Sequence, residues 1–522
     1  MKSIFKTENQ KMNAILAILC ISFLLLLLLN HENNKIPSFS QTTEIPEGII
    51  TPNKINTSIG ALRFMDGVPI KKTVDLVYDN LDRMRGVDVY LKCMQAASMR
   101  HLIKGPQALG ADEYNRVMLL QLDSKSLYLT ANTSTLYVNP IINLKETGPL
   151  VMEVPLEMTG AINDAWFYYV SDIGPFGPDK GEGGKYLLLP PAYDEEVPEG
   201  YHVIRSSTYR LWMLMRMTLE NGAKSAKDHI VNNLKIYPLE AQDNPKPMVF
   251  IDGSGQNFNT IYPNDFHFYE AIHEVIQEEP LDMIDAETRG LLASIGIEKG
   301  KSFSPDKRLK RILNDAVLIG NATARSIVWY PRTAGTINHM NGVQMYPDSE
   351  SAWMRLFTDQ NVFFTGEDGH TMNSDARTML HFPYSGISPA MSVKTPGKGS
   401  DYGLLMLDHK KRPFSGKRTY KLRIPPNPPV KDFWALTIYD SQTRSMLQTD
   451  QPTPTIGSQL ENMKMEEDGS YLIYFGPKAP KGYENNWLQT IPNKSWFVML
   501  RMFGPTEKWI DQTWRPAEIE LI

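Results

Sequence analysis

Apolar positions fall along the chain in three successive patterns. The first is a solid block: Ala14 to Leu29 is sixteen residues without a charge, behind Lys2, Lys6 and Lys11. As a helix it spans about 24 Å at 1.5 Å per residue, a little short of the roughly 30 Å hydrocarbon core of a bilayer. A signal peptide and a short anchor both fit residues 1–30. Asn30, His31, Glu32, Asn33, Asn34 and Lys35 follow, and none is the small residue that a signal peptidase site wants, which favours an uncleaved anchor. Residues 31–74 then read as a polar stalk with scattered Pro37, Pro46 and Pro52.

The second pattern is helical. From Asp75 to Ile103, Leu76, Leu81, Met84, Val87, Leu91 and Met94 recur near one face. Residues 117–205 show the third pattern, short alternating β-like runs such as Leu150-Val-Met-Glu-Val and Trp166-Phe-Tyr-Tyr-Val, separated by Gly/Pro turns. Ser206-Ser-Thr reads as the cap of a helix over Tyr209–Leu219, with a second helix over Ser225–Leu234. Asn264 to about Ile319 is mostly helical, and Arg332–Asp401 is mixed. From Tyr402 onward β patterning returns in Thr419-Tyr-Lys-Leu-Arg-Ile, Phe433-Trp-Ala-Leu-Thr-Ile-Tyr, Tyr471-Leu-Ile-Tyr-Phe and Trp496-Phe-Val-Met-Leu-Arg-Met-Phe. The fold class expected is α+β and mostly β: antiparallel sandwich or barrel modules of jelly-roll type, joined by helical segments. The domains expected are 75–240 (a helix plus a β-rich unit), 241–401 (helical and mixed) and 402–522 (β).

Composition narrows the function classes. A net charge of −5 without a basic stripe gives no electrostatic case for nucleic acid. The two cysteines are Cys20, inside the apolar block, and Cys93, so the body beyond the block holds one thiol and no internal disulfide. Cysteine-based zinc or iron–sulfur sites are excluded with it. Cys93 lies in a helical stretch and reads as an inert buried thiol. Among ten histidines, His267, Glu270, His273 and Glu274 have ligand-like spacing. A di-iron site needs a second Glu-x-x-His copy, which is missing, so a solvated helix face is the better reading. There is no His-Glu-x-x-His, no P-loop, no dinucleotide fingerprint and no Gly-x-Ser-x-Gly elbow. Neither a cofactor nor a metal is expected. Trp434, Trp487, Trp496, Trp509 and Trp514 crowd the last module. Trp434, Leu436 and Ile438 share a strand face, which favours core over a sugar-stacking platform.

Several segments carry a family resemblance: Asn132-Thr-Ser-Thr-Leu-Tyr137, Gly148-Pro-Leu-Val-Met-Glu-Val-Pro155, Asp164-Ala-Trp166, Arg205-Ser-Ser-Thr, Ser294-Ile-Gly-Ile-Glu-Lys-Gly300, Pro425 to Trp434, Tyr439 to Asp450, Tyr474 to Pro480, Asn486-Trp487 and Thr513-Trp-Arg-Pro516. Over about residues 75–522 the chain resembles the two-domain proteins that pair domain of unknown function 1254 with domain of unknown function 1214. The resemblance implies β modules joined by helical segments, in proteins often exported by bacteria. It implies no reaction.

The polar residues inside these motifs are the candidate ligand-binding set: Asn132, Thr135, Tyr137, Asp164, Arg205, Asp440 and Arg444. Asn132, Tyr137 and Arg205 are expected to line one polar cavity, shared with Asp440 and Arg444. Arg205 stands before the expected helix start, where a cation needs a negative partner. Two functions are carried forward. One is a metal-independent hydrolase or lyase acting on small polar or carbohydrate-like substrates. The other is a non-catalytic protein that grips a glycan or an envelope component. A small-molecule or glycan ligand, and the membrane through the N-terminal segment, are the partners expected.

Overall fold

A computed structural model describes residues 2–33, 42–219, 221–332, 342–358, 360–366 and 369–522. Part of the expected stalk (34–41) and His339 lie outside these residues. The chain divides into two compact units, Met1–Val77 and Tyr78–Ile522.

The first unit carries helix α1 (Lys2–Asn33). Its stretch Thr7–Leu29 has a mean hydropathy of 2.8 and buries nothing against the protein. It is long and apolar enough to be a signal sequence or a membrane anchor. The expected linker contains a small antiparallel sheet, β1 (Lys54–Thr57), β2 (Gly60–Met65) and β3 (Val68–Pro69). Met65 pairs with Val68 across Asp66-Gly67, both at positive φ (48° and 82°). This is the two-residue hairpin turn that an Asp-Gly pair encodes, and the polar composition around it masked the signal.

The second unit is entered through α2 (Lys71–Ala108). The next 130 residues are β-rich: β4 (Arg116–Gln121), β5 (Thr135–Asn139), β6 (Ile142–Asn143), the short α3 (Leu144–Thr147), β7 (Leu150–Val154), β8 (Gly160–Asp164), β9 (Tyr169–Ile173), β10 (Gly184–Leu189), β11 (His202–Arg205), β12 (Arg210–Met213), β13 (Met215–Thr218), α4 (Ala223–Asn233) and β14 (Lys235–Pro238). With β15 (Val249–Asp252) they make three four-stranded sheets, ordered β11-β10-β7-β14, β6-β12-β8-β9 and β13-β5-β4-β15. Helices α5 (His267–Glu278), α6 (Ala286–Ala293) and α7 (Lys307–Trp329) follow, then β16 (Met354–Arg355), α8 (Ser374–His381) and α9 (Pro389–Ser392).

The last module holds β17 (Ser400–Leu405), β18 (Phe414–Ser415), β19 (Tyr420–Ile424), β20 (Val430–Asp440), β21 (Thr455–Gly457), β22 (Tyr471–Gly476), β23 (Trp487–Gln489), β24 (Ser495–Pro505), α10 (Glu507–Ile510) and β25 (Glu520–Leu521). Its main sheet runs β16-β17-β24-β20-β21, with β18 also on β24, and a second runs β23-β22-β19-β25. The fold is α+β, 30% helix and 25% strand, with antiparallel and mixed sheets, and among the described residues none closes into a barrel.

One expected element is corrected. Tyr209–Leu219 is not a helix but the strand pair β12 and β13. Leu211, Met213, Met215 and Met217 enter one core, while Trp212 and Leu214 enter another. With both faces buried, no polar residue marks the period of two until Arg216. Leu and Met favour helix intrinsically, and tertiary burial overrides that preference.

Candidate functional site

Strand periodicity builds the site. In β5 and β13, Leu136, Val138, Met215 and Met217 point into a core. The opposite face is polar: Thr135 pairs across the strands with Thr218, and Tyr137 with Arg216. The C-terminal sheet repeats the device. Trp434, Leu436, Ile438, Val498, Leu500 and Met502 fill one core. On the other face Tyr402 pairs with Arg501, and Ser400 and Phe433 flank Phe503. Each of the two β regions therefore carries an arginine opposite a tyrosine in its own sheet.

A cavity of about 370 Å³ is lined by Thr135, Arg216 and Thr218 from the first face and by Ser400, Phe433 and Phe503 from the second. This is the size of a small-molecule site. Arg216 is half-buried and forms no ion pair with a described carboxylate. Burial pulls its pKa down, but the phenols of Tyr402, Tyr137 and Tyr384 face it, and the net direction is upward. Ser400 is 5% exposed, and its buried Oγ has no hydrogen-bond partner among the described residues. The charged lining residues are Arg216, Lys398 and Lys431 against Asp432, an excess of positive charge. Phe433 and Phe503 stack with centroids 4.1 Å apart and form, with Ala435, a small cluster separate from the large cores.

Behind the cavity a second arginine holds the two β regions together. Arg501 is 2% exposed. It donates to Tyr439 Oη, to Thr437 Oγ1 and to the carbonyls of Thr130 and Ala131. Tyr439 donates in turn to Ala131 O at 2.7 Å. Thr130 N donates to Arg444 O (2.9 Å) and its hydroxyl to Pro383 O (2.9 Å). Carbonyls and phenols thus solvate a buried guanidinium without a carboxylate.

The sequence-derived residues divide into separate groups. Asn132, Thr135 and Tyr137 converge: Asn132 Nδ2 donates to Tyr137 Oη (2.6 Å), and Asn132 Oδ1 accepts from Thr135 Oγ1 (3.3 Å) and Ser134 N (2.9 Å). Of these, Thr135 reaches the cavity wall. Arg205 is not with them. It ends β11 in another sheet, exposed, and donates to Tyr193 O at 3.0 Å. The helix start that was to hold an anion beside it does not exist, because β12 follows.

Asp164 accepts from Trp166 N (2.8 Å), Tyr168 N (2.9 Å) and Ser207 Oγ (3.2 Å), tying a turn in which Phe167 sits at φ 60°. Burial pushes its carboxyl up to about 6 against those hydrogen bonds. Asp440 accepts from Gln442 N (2.7 Å) and pairs with Lys494. Arg444, at φ 62°, is buried over Phe382 (4.2 Å) and donates to Phe382 O (3.2 Å) and Gln442 O (3.2 Å). Asp440 and Arg444 thus hold a turn.

Sequence reasoning missed Arg216, Ser400, Tyr402, Tyr439 and Arg501. The usable signal was an arginine inside an apolar strand, in Met215-Arg-Met217 and Leu500-Arg-Met502, since arginine is rarely buried without a partner. The His267 group is otherwise engaged: His267 pairs with Asp265 (2.9 Å), Glu274 with Arg100 (2.6 Å) and Lys104 (2.7 Å). Cys93 is fully buried, and burial pushes its thiol up to about 12. Trp434, Trp496, Trp509 and Trp514 are all buried.

Residues 114–238 match the model described as "Protein of unknown function (DUF1254)", and residues 400–507 that described as "Protein of unknown function (DUF1214)". Among curated proteins none matches. Among solved structures, the chain is similar to the VPA0106 protein from Vibrio parahaemolyticus, at 17% identity and a TM-score of 0.49, over 84% of this chain and 100% of that one. It is also similar to an uncharacterized protein from Burkholderia cenocepacia, at 10% identity and a TM-score of 0.40, over 85% of this chain and 96% of that one. The chain is thus similar to proteins that pair DUF1254 with DUF1214, the first match lying in its N-terminal half and the second near its C-terminus.

Proposed function

We propose that this is an exported, membrane-tethered protein that holds a small anionic ligand between its DUF1254 and DUF1214 domains. The observation that carries this reading is Arg216, a cation in a cavity wall with phenols around it and no described carboxylate paired to it. A guanidinium in such a setting gains from an anion, because charge-assisted hydrogen bonds strengthen as water is excluded. Ser400 in the cavity wall supports it: its buried hydroxyl has no hydrogen-bond partner among the described residues, and buried polar groups are ordinarily satisfied. The tether is α1, with Lys2, Lys6 and Lys11 before its apolar stretch, which favours a cytoplasmic N-terminus. The body then lies on the far side of the inner membrane, in the periplasm or outside. The glycan reading needs an exposed aromatic platform; of the five tryptophans named for it, Trp434, Trp496, Trp509 and Trp514 are buried and Trp487 is half-buried, its indole donating to Gly476 O (2.8 Å).

The test is a thermal-shift screen of the purified chain with small acids and the matching neutral amides. Acids are expected to raise Tm and amides are not. Arg216→Gln should remove the response, a loss of about tenfold or more in affinity for a charge-assisted pair. A phenol beside a held anion can also donate or accept a proton, so consumption of each acid is followed in the same samples. If no acid shifts Tm, or if Arg216→Gln responds as the parent does, the reading is wrong.

A further inference from the structure

The cavity has two unlike walls, and together they specify more than charge. On one wall Arg216, Thr135 and Thr218 stand side by side across β5 and β13. On the other, Ser400, Phe503 and Phe433 are register neighbours across β17, β24 and β20. The two rings stack at 4.1 Å with 25° between their planes. They join neither large core, although core-facing aromatics of the same strands, such as Trp434, do. An aromatic pair held apart from the cores, with its flank on a cavity, offers a flat apolar surface to whatever fills it.

The charge arrangement limits the head group. Arg216 is half-buried among Tyr137, Tyr384 and Tyr402, whereas Lys398 and Lys431 are exposed, and Asp432 is exposed beside Lys431. The interior therefore presents one guanidinium, not a cluster of cations. A planar guanidinium fork matches a carboxylate with two parallel hydrogen bonds. A strongly hydrated dianion such as phosphate would lose more on entering a cavity lined by phenylalanines than one fork returns.

Building on the anion-binding reading above, we propose that the ligand is a monocarboxylic acid with a flat, apolar body. Its carboxylate lies on Arg216 and its body lies against the Phe433–Phe503 pair. An aryl carboxylate is the simplest member of the class.

The experiment is isothermal titration of the detergent-solubilised full chain with five probes: benzoate, phenylacetate, benzamide, acetate and inorganic phosphate. Benzoate or phenylacetate is expected to bind at least about tenfold more tightly than acetate, which lacks the ring, and than benzamide, which lacks the charge. Arg216→Gln should abolish that binding. Phe433→Leu should weaken the aryl acid several-fold while leaving acetate unchanged. If phosphate or acetate binds as well as benzoate and Arg216→Gln abolishes it, the anion cavity stands and the aryl class falls. If benzamide matches benzoate, or if none of the five probes binds, both readings fall. The comparison of probes on the parent chain decides the matter even if Phe433→Leu does not fold.

Discussion

Asp172 on β9 is 2% exposed, and its Oδ1 has no hydrogen-bond partner among the described residues. Burial pushes its carboxyl up to about 6, with hydrogen bonds from Ser388 and Ala390 pulling part of the way back. A carboxyl whose pKa is higher folded than unfolded binds more protons in the folded state. Its stabilising effect is complete below the unfolded value of about 4 and is lost as pH rises through about 6. At neutral pH the ionised group therefore weighs against the fold, by on the order of 2–3 kcal/mol. Asp172→Asn removes the titration while keeping the shape. The variant should lose less Tm than the parent between pH 5 and pH 8, and at pH 8 it should be the more stable of the two. A Tm difference between the proteins that does not change with pH would refute the assignment. Arg216 and Arg501 show a different solution to buried charge. Burial opposes the charge on both, and nearby phenols offset it: Tyr402, Tyr137 and Tyr384 at Arg216, and Tyr439, Tyr384, Tyr137 and Tyr402 at Arg501.

Helices α2 and α7 cross at two glycines. A Cβ on Gly86 would stand 2.7 Å from Ala316 Cβ, and one on Gly320 would stand 2.7 Å from the Tyr90 ring. That ring cannot give way easily. Tyr90 donates to Asn264 (3.0 Å), accepts from Asn321 (3.1 Å) and packs on Phe268 with centroids 4.6 Å apart. Gly320→Ala should destabilise by about 1–3 kcal/mol through overpacking, despite alanine's better helix propensity. Gly290, in α6, has nothing within 4 Å of an added Cβ. Gly290→Ala should therefore gain about 0.5–1 kcal/mol. Opposite signs in urea midpoints are expected, and equal signs would mean that the crossing is not close-packed. The helix over Asp75–Ile103 was legible from its apolar spacing, but its buried face was not: Met84 is 54% exposed, whereas Val89, Tyr90 and Cys93 enter the core beside Met94. The β12–β13 strands were not legible, because two different cores bury both of their faces.

At the scale of the chain, α1 and the body beyond it make one topological statement. With three lysines ahead of Ala14–Leu29 and a net charge of −5 overall, the proposed single crossing would put the body outside the cytoplasm. Protease added to intact bacterial spheroplasts expressing the chain should digest the body and spare a cytoplasmic control protein. Protection of the body until the cells are lysed would reverse the topology. The two matched regions are joined through Thr130 and Ala131, which Arg501, Tyr439 and the Arg444 carbonyl grip from the DUF1214 side. The cavity lies between the Thr135–Arg216–Thr218 face of one sheet and the Ser400–Phe433–Phe503 face of the other.

The sequence by itself determined the apolar leader, the alternation of β modules with helical connections and the pairing of the two domains. Each rests on local periodicity or on contiguous motifs. It also marked Asn132, Thr135 and Tyr137, because they fall within a few residues of one another on and beside one strand. Tertiary structure alone decided that Arg205 points away, that Asp440 and Arg444 hold a turn, and that Arg216 and Ser400 share a cavity although 184 positions separate them. Which residues a sheet face presents to another depends on strand register and on domain docking. Those are set by contacts between distant segments, and they leave no trace in the spacing of residues along the chain.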